Sequence, residues 1–165
     1  MSAQQNTEHR GQSHPTHRVV LAGTVRVHLP VSEAFHLFTP LGEKAWADGW
    51  DPTFPAPVEG DGSNRGTVFE AAHDGDRSVW VACRCEPPRV VQYARLIPGK
   101  NAGTVTVTLA TAPEGSVATV EYDLTALSDA AASDLARFAA HYPEFLGGWE
   151  VAIDKARPAA TATTA

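Results

Sequence analysis

The chain has 165 residues, of which 43% are hydrophobic and 19% are charged, and its formal net charge is −6. This length fits one domain with a full hydrophobic core. The acidic balance argues against a nucleic-acid partner, because phosphate binding relies on clustered basic residues. No apolar stretch approaches the roughly 20 residues of a membrane-spanning helix.

The two ends of the chain lack periodic patterning. Residues 1–16 are polar and contain no apolar core of a secretory signal, and the tail from Pro158 is equally irregular. We therefore expect a disordered leader at 1–16, one folded domain at 17–157 and a disordered tail at 158–165. Cys83 and Cys85 are too close for an unstrained disulfide, which favours reduced thiols and a cytoplasmic protein.

The first predicted strand covers about residues 17–29. Alternate residues from Val19 to Val27 are apolar or glycine and share one face, and Pro30 ends the strand. Ser32 is the expected N-cap of a short helix, and a second short helix over about 41–47 carries Trp46. Neither helix is long enough to be stable without packing on the sheet.

Residues 66–127 predict five consecutive antiparallel strands separated by turn residues. The last two strands alternate most clearly, and this pattern gives the sheet one dry face and one wet face. In the segment 78–85 the pattern does not decide which set of residues faces inward. The inward residues of the last two strands are Val105, Val107, Leu109, Val120, Tyr122 and Leu124.

A long helix is predicted from Ser128 or Asp129 to about Arg157. Apolar residues recur along it at three- and four-residue steps, so one stripe must face the sheet. Pro143 is expected to kink this helix or to start a second segment. The stripe consists of Leu135, Phe138, Tyr142, Phe145 or Leu146, Trp149 and Ile153.

The order of these elements and several local motifs resemble the START-like superfamily, also called the helix-grip or Bet v 1-like fold. The motifs are Phe38-Thr39-Pro40, the Trp46 and Trp50-Asp51-Pro52 cluster, the strand start at 66–69 and the stretch 122–127. The resemblance covers about Arg18 to Arg157 and is nearest to bacterial polyketide cyclase/dehydrase and lipid-transport-like members.

The resemblance implies an α+β helix-grip fold, in which a curved antiparallel sheet wraps a long C-terminal helix and two short helices follow the first strand. It also implies a cavity between the sheet and the long helix. The superfamily includes both carriers and enzymes, and it offers no shared catalytic motif to transfer.

Polar residues on inward-facing positions are the candidates for chemistry. His73, Tyr93 and Tyr122 could act as acid–base groups in a pocket. Alternatively, His73 is a surface residue beside a turn, and the tyrosines are packed core residues bonded to the backbone. An inward Arg95 would need a carboxylate, supplied by the protein or by a ligand, because an unpaired buried charge is costly.

The apolar and aromatic candidates for lining the ligand site come from the strands, the short helices and the long helix. The tryptophans could equally serve to hold the short helices on the sheet. The full set of expected ligand-binding residues is Trp46, Trp50, Phe69, Ala71, Trp80, Arg95, Val105, Val107, Leu109, Val120, Leu124, Phe138, Tyr142 and Trp149.

Two functions remain open from the sequence. The first is binding of a small hydrophobic molecule, either lipid-like or a polycyclic aromatic metabolite. The second is a cyclase or dehydratase that acts on a polyketide-like substrate through pocket Tyr and His groups. No cofactor or metal is expected, since Cys83 and Cys85 lack the second pair of ligands that a zinc site needs.

Overall fold

The computed structural model describes residues 17–157 and contains six strands and three α-helices. A strand and a group of short helices come first, five strands follow, and two longer helices come last. The strands are β1 (Arg18–Val27), β2 (Val68–His73), β3 (Asp76–Glu86), β4 (Val90–Ile97), β5 (Asn101–Ala112) and β6 (Gly115–Ala126). The α-helices are α1 (Val31–Ala34), α2 (Asp129–Ala140) and α3 (Tyr142–Ala156), and two 3-10 helices cover Phe35–Phe38 and Gly42–Ala45.

All six strands belong to one antiparallel sheet in the order β1-β6-β5-β4-β3-β2. The first strand therefore pairs with the last one, and the other strands follow as successive hairpins. Val107 lies opposite Val120, and Tyr93 lies opposite Val105, so the apolar positions of β4, β5 and β6 share one face. This architecture confirms the predicted α+β fold.

The face of β3 that points inward carries Trp80. Ser78 and Ala82 on the same face are buried, and Trp80 packs against the core. A β-bulge between Ala82 and Arg84 shifts the register against β4. Beyond the bulge, Cys85 packs against the core, and Arg84 is exposed and forms an ion pair with Glu86.

The C-terminal helical segment is broken at His141 into α2 and α3. Ser128 caps α2, because its Oγ accepts a hydrogen bond from the backbone N–H of Ala131 at 3.1 Å. Pro143 lies in the first turn of α3, where it requires no intrahelical partner. The prediction that Pro143 would start a second segment is therefore confirmed.

The short helices differ in detail from the prediction. Pro30, not Ser32, occupies the N-cap position of α1, so the prediction of a Ser32 cap is wrong. The second short helix covers only Gly42–Ala45, and Trp46 follows its last residue. No helix within residues 17–157 is long and apolar enough to span a bilayer.

The helices cover only part of the sheet. α3 packs against β1, and α2 packs against β1 and β6. Gly23 allows the close approach of α3, since a Cβ there would lie 2.5 Å from Leu146 Cδ1. The inward face of β2 and β3 is instead contacted by the segment at 39–66, through Trp50 and Phe54. The predicted leader and tail lie outside the described residues.

Candidate ligand-binding site

The aliphatic candidates form the floor of the interior. These residues belong to one packed core on the inward face of the sheet, and each is at most 4% exposed. Because they are fully packed, they can shape a site but leave little of their own surface for contact. The residues are Val105, Val107, Leu109, Val120 and Leu124, and Ala71 on β2 is equally buried.

A first group of aromatic rings lies over β2 and β3. Phe69 and Trp80 stack with their ring centroids 5.7 Å apart, and Trp50 packs edge-on against both. The indole N–H of Trp50 donates to Pro40 O at 2.8 Å, and that of Trp80 donates to Ser78 Oγ at 2.7 Å. Trp50 and Trp80 are only half-buried, so part of each ring remains accessible to solvent.

A second group of rings lies on the helices and β6. Tyr122 contacts Phe138, Tyr142 and Phe145, with centroid distances of 5.5–6.0 Å. Phe145 contacts Trp149 at 5.3 Å. Phe138, Phe145 and Trp149 are half-buried like Trp50 and Trp80.

Trp46 joins this helical group to the short helices. Its ring lies 5.2 Å from that of Trp149 and 6.3 Å from that of Phe38. Its indole N–H donates to Leu37 O at 2.7 Å. Trp46 is buried, so it holds the short helices against α3 as well as walling the interior.

Arg95 connects the two aromatic groups. Its guanidinium carbon lies 5.6 Å from the ring centroid of Trp80 on one side and 5.6 Å from that of Tyr122 on the other. Nη2 donates to Asn101 Oδ1 at 2.7 Å, whereas the buried Nε has no hydrogen-bond partner within residues 17–157. Burial lowers the pKa of Arg95, and the nearby Tyr122 opposes that shift.

Glu43 is a further ionisable residue of the interior. Burial raises the pKa of its carboxyl to about 8, so the group is mostly protonated at neutral pH. The charge of Glu43 also contributes to the raised pKa values of Tyr93 and Tyr122, for which burial is the main cause. The hydropathy pattern of the sequence does not single out Glu43. One signal was available: Glu43 lies three positions before Trp46, and such residues share a face in a 3-10 turn.

The three tyrosines have different roles. Tyr93 donates its hydroxyl to Phe38 O at 2.9 Å, and Tyr142 donates to Val120 O at 2.6 Å. Both are therefore core residues that bond the backbone, and burial raises their pKa values. Tyr122 is 5% exposed, and its pKa is raised mainly by burial.

The third predicted acid–base residue, His73, lies at the end of β2. Its backbone pairs with Asp76 in the last register position of the β2–β3 hairpin. Its side chain lies outside the described part of the structure. Among the described side chains, the structure places Arg95 against Tyr122.

Two surface clefts lie away from this interior. One, of about 60 Å³, is formed by the end of β1, the short helices and the last turn of α3, around Leu37 and Ile153. The other, of about 290 Å³, lies at the β5–β6 turn beside His28 and Glu114. Within residues 17–157 no three His, Cys, Asp or Glu side chains are grouped to hold a metal ion.

Comparisons with known proteins give a likeness in fold. No family model matches the chain, and no curated protein matches it either. The structure resembles protein MLL2253 from Mesorhizobium loti with a TM-score of 0.61 and 17% identity, over 83% of this chain and 98% of that one. At these identities the likeness concerns the fold alone.

Two further neighbours come from biosynthetic loci or pathways. DynU16, from the dynemicin biosynthetic locus, gives a TM-score of 0.58 and 21% identity over 87% of this chain. The di-domain ARO/CYC BexL, from the BE-7585A biosynthetic pathway, gives 0.53 and 21% over 86% of this chain. The chain spans 49% of DynU16 and 52% of BexL, so it corresponds to about half of each. The chain thus has an α+β helix-grip architecture that these solved structures share.

Proposed function

We propose that the protein binds one small, predominantly apolar aromatic molecule between its curved sheet and its C-terminal helices. The observation that carries this proposal is the position of two aromatic groups, each with half-buried rings, on opposite sides of Arg95. Ligand sites typically combine apolar walls with a few polar groups. Buried polar groups of a simple core are instead hydrogen-bonded, and the Nε of Arg95 is not.

The neighbours in fold support the same proposal. DynU16 and BexL come from biosynthetic loci or pathways, and BexL is described as an ARO/CYC protein. A molecule with several fused or conjugated rings would match the aromatic walls of this chain, because flat rings stack on flat rings. We therefore place a polycyclic metabolite ahead of an aliphatic lipid.

Calorimetric titration with N-phenyl-naphthylamine, a neutral aromatic probe, tests this function. We expect one bound molecule per chain and quenching of tryptophan fluorescence. Replacing Trp80 with Leu removes one stacking wall and should weaken binding about 3- to 10-fold. The variant Val81→Ala changes the opposite face of the same strand and serves as the control. Absence of binding by the wild type, or equal binding by the Trp80 variant, would contradict the proposal.

A second candidate function is catalysis of a cyclisation or dehydration, and Glu43 favours it. A carboxyl whose pKa is about 8 can both donate and accept a proton near neutral pH. Tyr122 lies close enough to be influenced by its charge. Tyr93 is less suited to proton transfer, since its hydroxyl already donates to the backbone.

The variants Tyr122→Phe and Glu43→Gln separate the two functions once a substrate is identified. A carrier should lose only a hydrogen-bond contribution of about 0.5–1.5 kcal/mol in affinity. An enzyme that uses either group for proton transfer should lose roughly 100-fold or more in turnover. Unchanged turnover in both variants would rule out these residues as the acid–base groups.

A further inference from the structure

The guanidinium of Arg95 has both of its faces covered. Trp80 lies over one face and Tyr122 over the other, each at 5.6 Å from the guanidinium carbon. Aromatic rings stabilise a cation through its faces but accept no hydrogen bond in its plane. The N–H groups of a guanidinium all point outward in that plane. Any partner of Arg95 must therefore approach edge-on.

The in-plane N–H groups of the Arg95 guanidinium are only partly hydrogen-bonded. Nη2 donates to the neutral side chain of Asn101, and the buried Nε donates to nothing within residues 17–157. No carboxylate of that part of the chain forms an ion pair with Arg95. The other well-formed arginine pairs of the structure are bidentate or nearly so, as in Arg18 with Asp123.

The ionisable neighbour of Arg95 does not neutralise it. Tyr122 lies over the guanidinium, and burial raises the pKa of its phenol, so this group is neutral at pH 7 and supplies no counter-charge. A buried cation without a counter-charge is unfavourable unless another group supplies one. Asn101 is neutral, so it offsets the charge of Arg95 only through the dipole of its side-chain amide. The interior thus retains one positive charge and at least one free in-plane donor.

We infer that the ligand is an organic anion whose carboxylate, enolate or other acidic oxygen binds the edge of Arg95 while its aromatic body packs on the half-buried rings of the two aromatic groups. Guanidinium groups are suited to planar acidic oxygens because two donors can serve them at once. This inference rests on the proposed function and narrows it from an apolar aromatic molecule to an acidic one. It also assigns Arg95 as the residue that orients the ligand.

Two fluorescent probes with the same ring skeleton test the inference. Anilinonaphthalene sulfonate carries an anionic group, whereas N-phenyl-naphthylamine carries none. The wild type should bind the anionic probe at least about tenfold more tightly than the neutral one. Arg95→Met, which is similar in length but uncharged, should bring the ratio of the two affinities close to one while still binding the neutral probe. Arg84→Met removes an exposed, paired arginine and should leave the ratio unchanged.

The outcomes distinguish this inference from the proposed function. If neither probe binds the wild type, the proposed function fails. If the neutral probe binds and the anionic probe binds no more tightly, only the inference fails. Inorganic phosphate should not displace the anionic probe, and displacement at equal concentration would show a simple anion site and overturn the inference. The wild-type ratio requires no variant, so it remains decisive even if Arg95→Met does not fold.

The stability of Arg95→Met supplies a further readout. A structural arginine would lower the thermal midpoint when it is removed. An arginine that is buried without a counter-charge in the free protein should leave the midpoint unchanged or raise it. A clear fall in the midpoint, together with an unchanged probe ratio, would assign Arg95 to packing.

Discussion

Burial shifts the pKa values of Arg95 and Glu43 in opposite directions. Burial lowers the pKa of the guanidinium and raises that of the carboxyl to about 8. In both cases the neutral form is favoured, because the interior solvates charge poorly. Arg95 nevertheless stays cationic at neutral pH, while Glu43 is mostly protonated.

The raised pKa of Glu43 predicts a pH dependence of folding stability. A carboxyl whose pKa is higher in the folded state contributes fully below about pH 4.5, and this contribution is lost as the pH rises through about 8. The free energy of unfolding of the wild type should therefore fall between these values, by at most about 1.4 kcal/mol per pH unit from this group. Urea denaturation of Glu43→Gln at several pH values should lack that slope.

The control for this experiment is Glu33→Gln, which changes an exposed glutamate of α1. Its stability should follow the wild-type curve in parallel. Parallel curves for the wild type and Glu43→Gln would instead show that the carboxyl of Glu43 is solvated in the folded protein. The position of Glu43 could not be read from hydropathy, because a lone glutamate in a short helix usually faces solvent.

At the level of single elements, the sequence predicted the inward face of strands that alternate regularly, but it did not predict the inward face of a strand that a bulge interrupts. The faces of β5 and β6 follow directly from strict alternation between Val105 and Leu124. In β3 the sequence could not decide the inward face, and the reason is the bulge between Ala82 and Arg84. Before the bulge one set of alternate residues faces inward, and beyond it the other set does. A bulge depends on pairing with β4, which no local pattern records.

Adding one methyl group at Gly103 in β5 is expected to destabilise the fold strongly. Gly103 lies between Arg95 on β4 and Leu124 on β6 in the register, and a Cβ there would lie 1.9 Å from the backbone oxygen of Asp123. Because backbone atoms cannot move aside as a side-chain end can, Gly103→Ala should destabilise the fold by about 3 kcal/mol or more. Thermal or urea unfolding measures this change. A loss below about 1 kcal/mol would mean that β5 and β6 separate easily at this point.

Adding a methyl group at Gly147 in α3 is expected to stabilise the fold instead. Gly147 is an exposed glycine within the helix, and a Cβ there would meet no atom within 4 Å. Since glycine costs a helix interior about 0.5–1 kcal/mol relative to alanine, Gly147→Ala should stabilise the protein by a similar amount. The same unfolding assay compares it with Gly103→Ala. A destabilised Gly147→Ala would indicate that α3 must bend there in solution.

In the whole molecule, two separate parts of the chain pack on the inward face of the sheet and cover it. The helices cover β1 and β6, and the segment at 39–66 covers β2 and β3. The order of predicted elements was sufficient to anticipate the helical cover. The segment at 39–66 has no hydrophobic periodicity from which its packing could be predicted, because individual contacts hold it on the sheet. Examples are the indole bonds of Trp46 and Trp50 and the backbone bridge between Thr53 and Glu70.

The edge strand β2 predicts a pattern of amide exchange. The amide of Glu70 donates to Thr53 O at 2.9 Å on the outer side of β2. The amides of Val68 and Ala72 point to the same side, since alternate N–H groups share a direction, and they lack such a bridge in the described residues. Hydrogen exchange should therefore be at least about tenfold slower at Glu70 than at Val68 and Ala72. Equal rates would show that the 39–66 segment opens freely.

The pairing of β1 with β6 also has a consequence for folding of the chain during its synthesis on the ribosome. Arg18 pairs with Thr125 and Val27 pairs with Ser116, so β1 has no strand partner until β6 has been made. At about 5–20 residues per second, the intervening chain takes roughly 5–20 s to synthesise. During that time β1 presents an unpaired apolar face, the kind of surface that attracts chaperones or other nascent chains. A nascent chain stalled before Gly115 should therefore aggregate, whereas one released after α3 should fold.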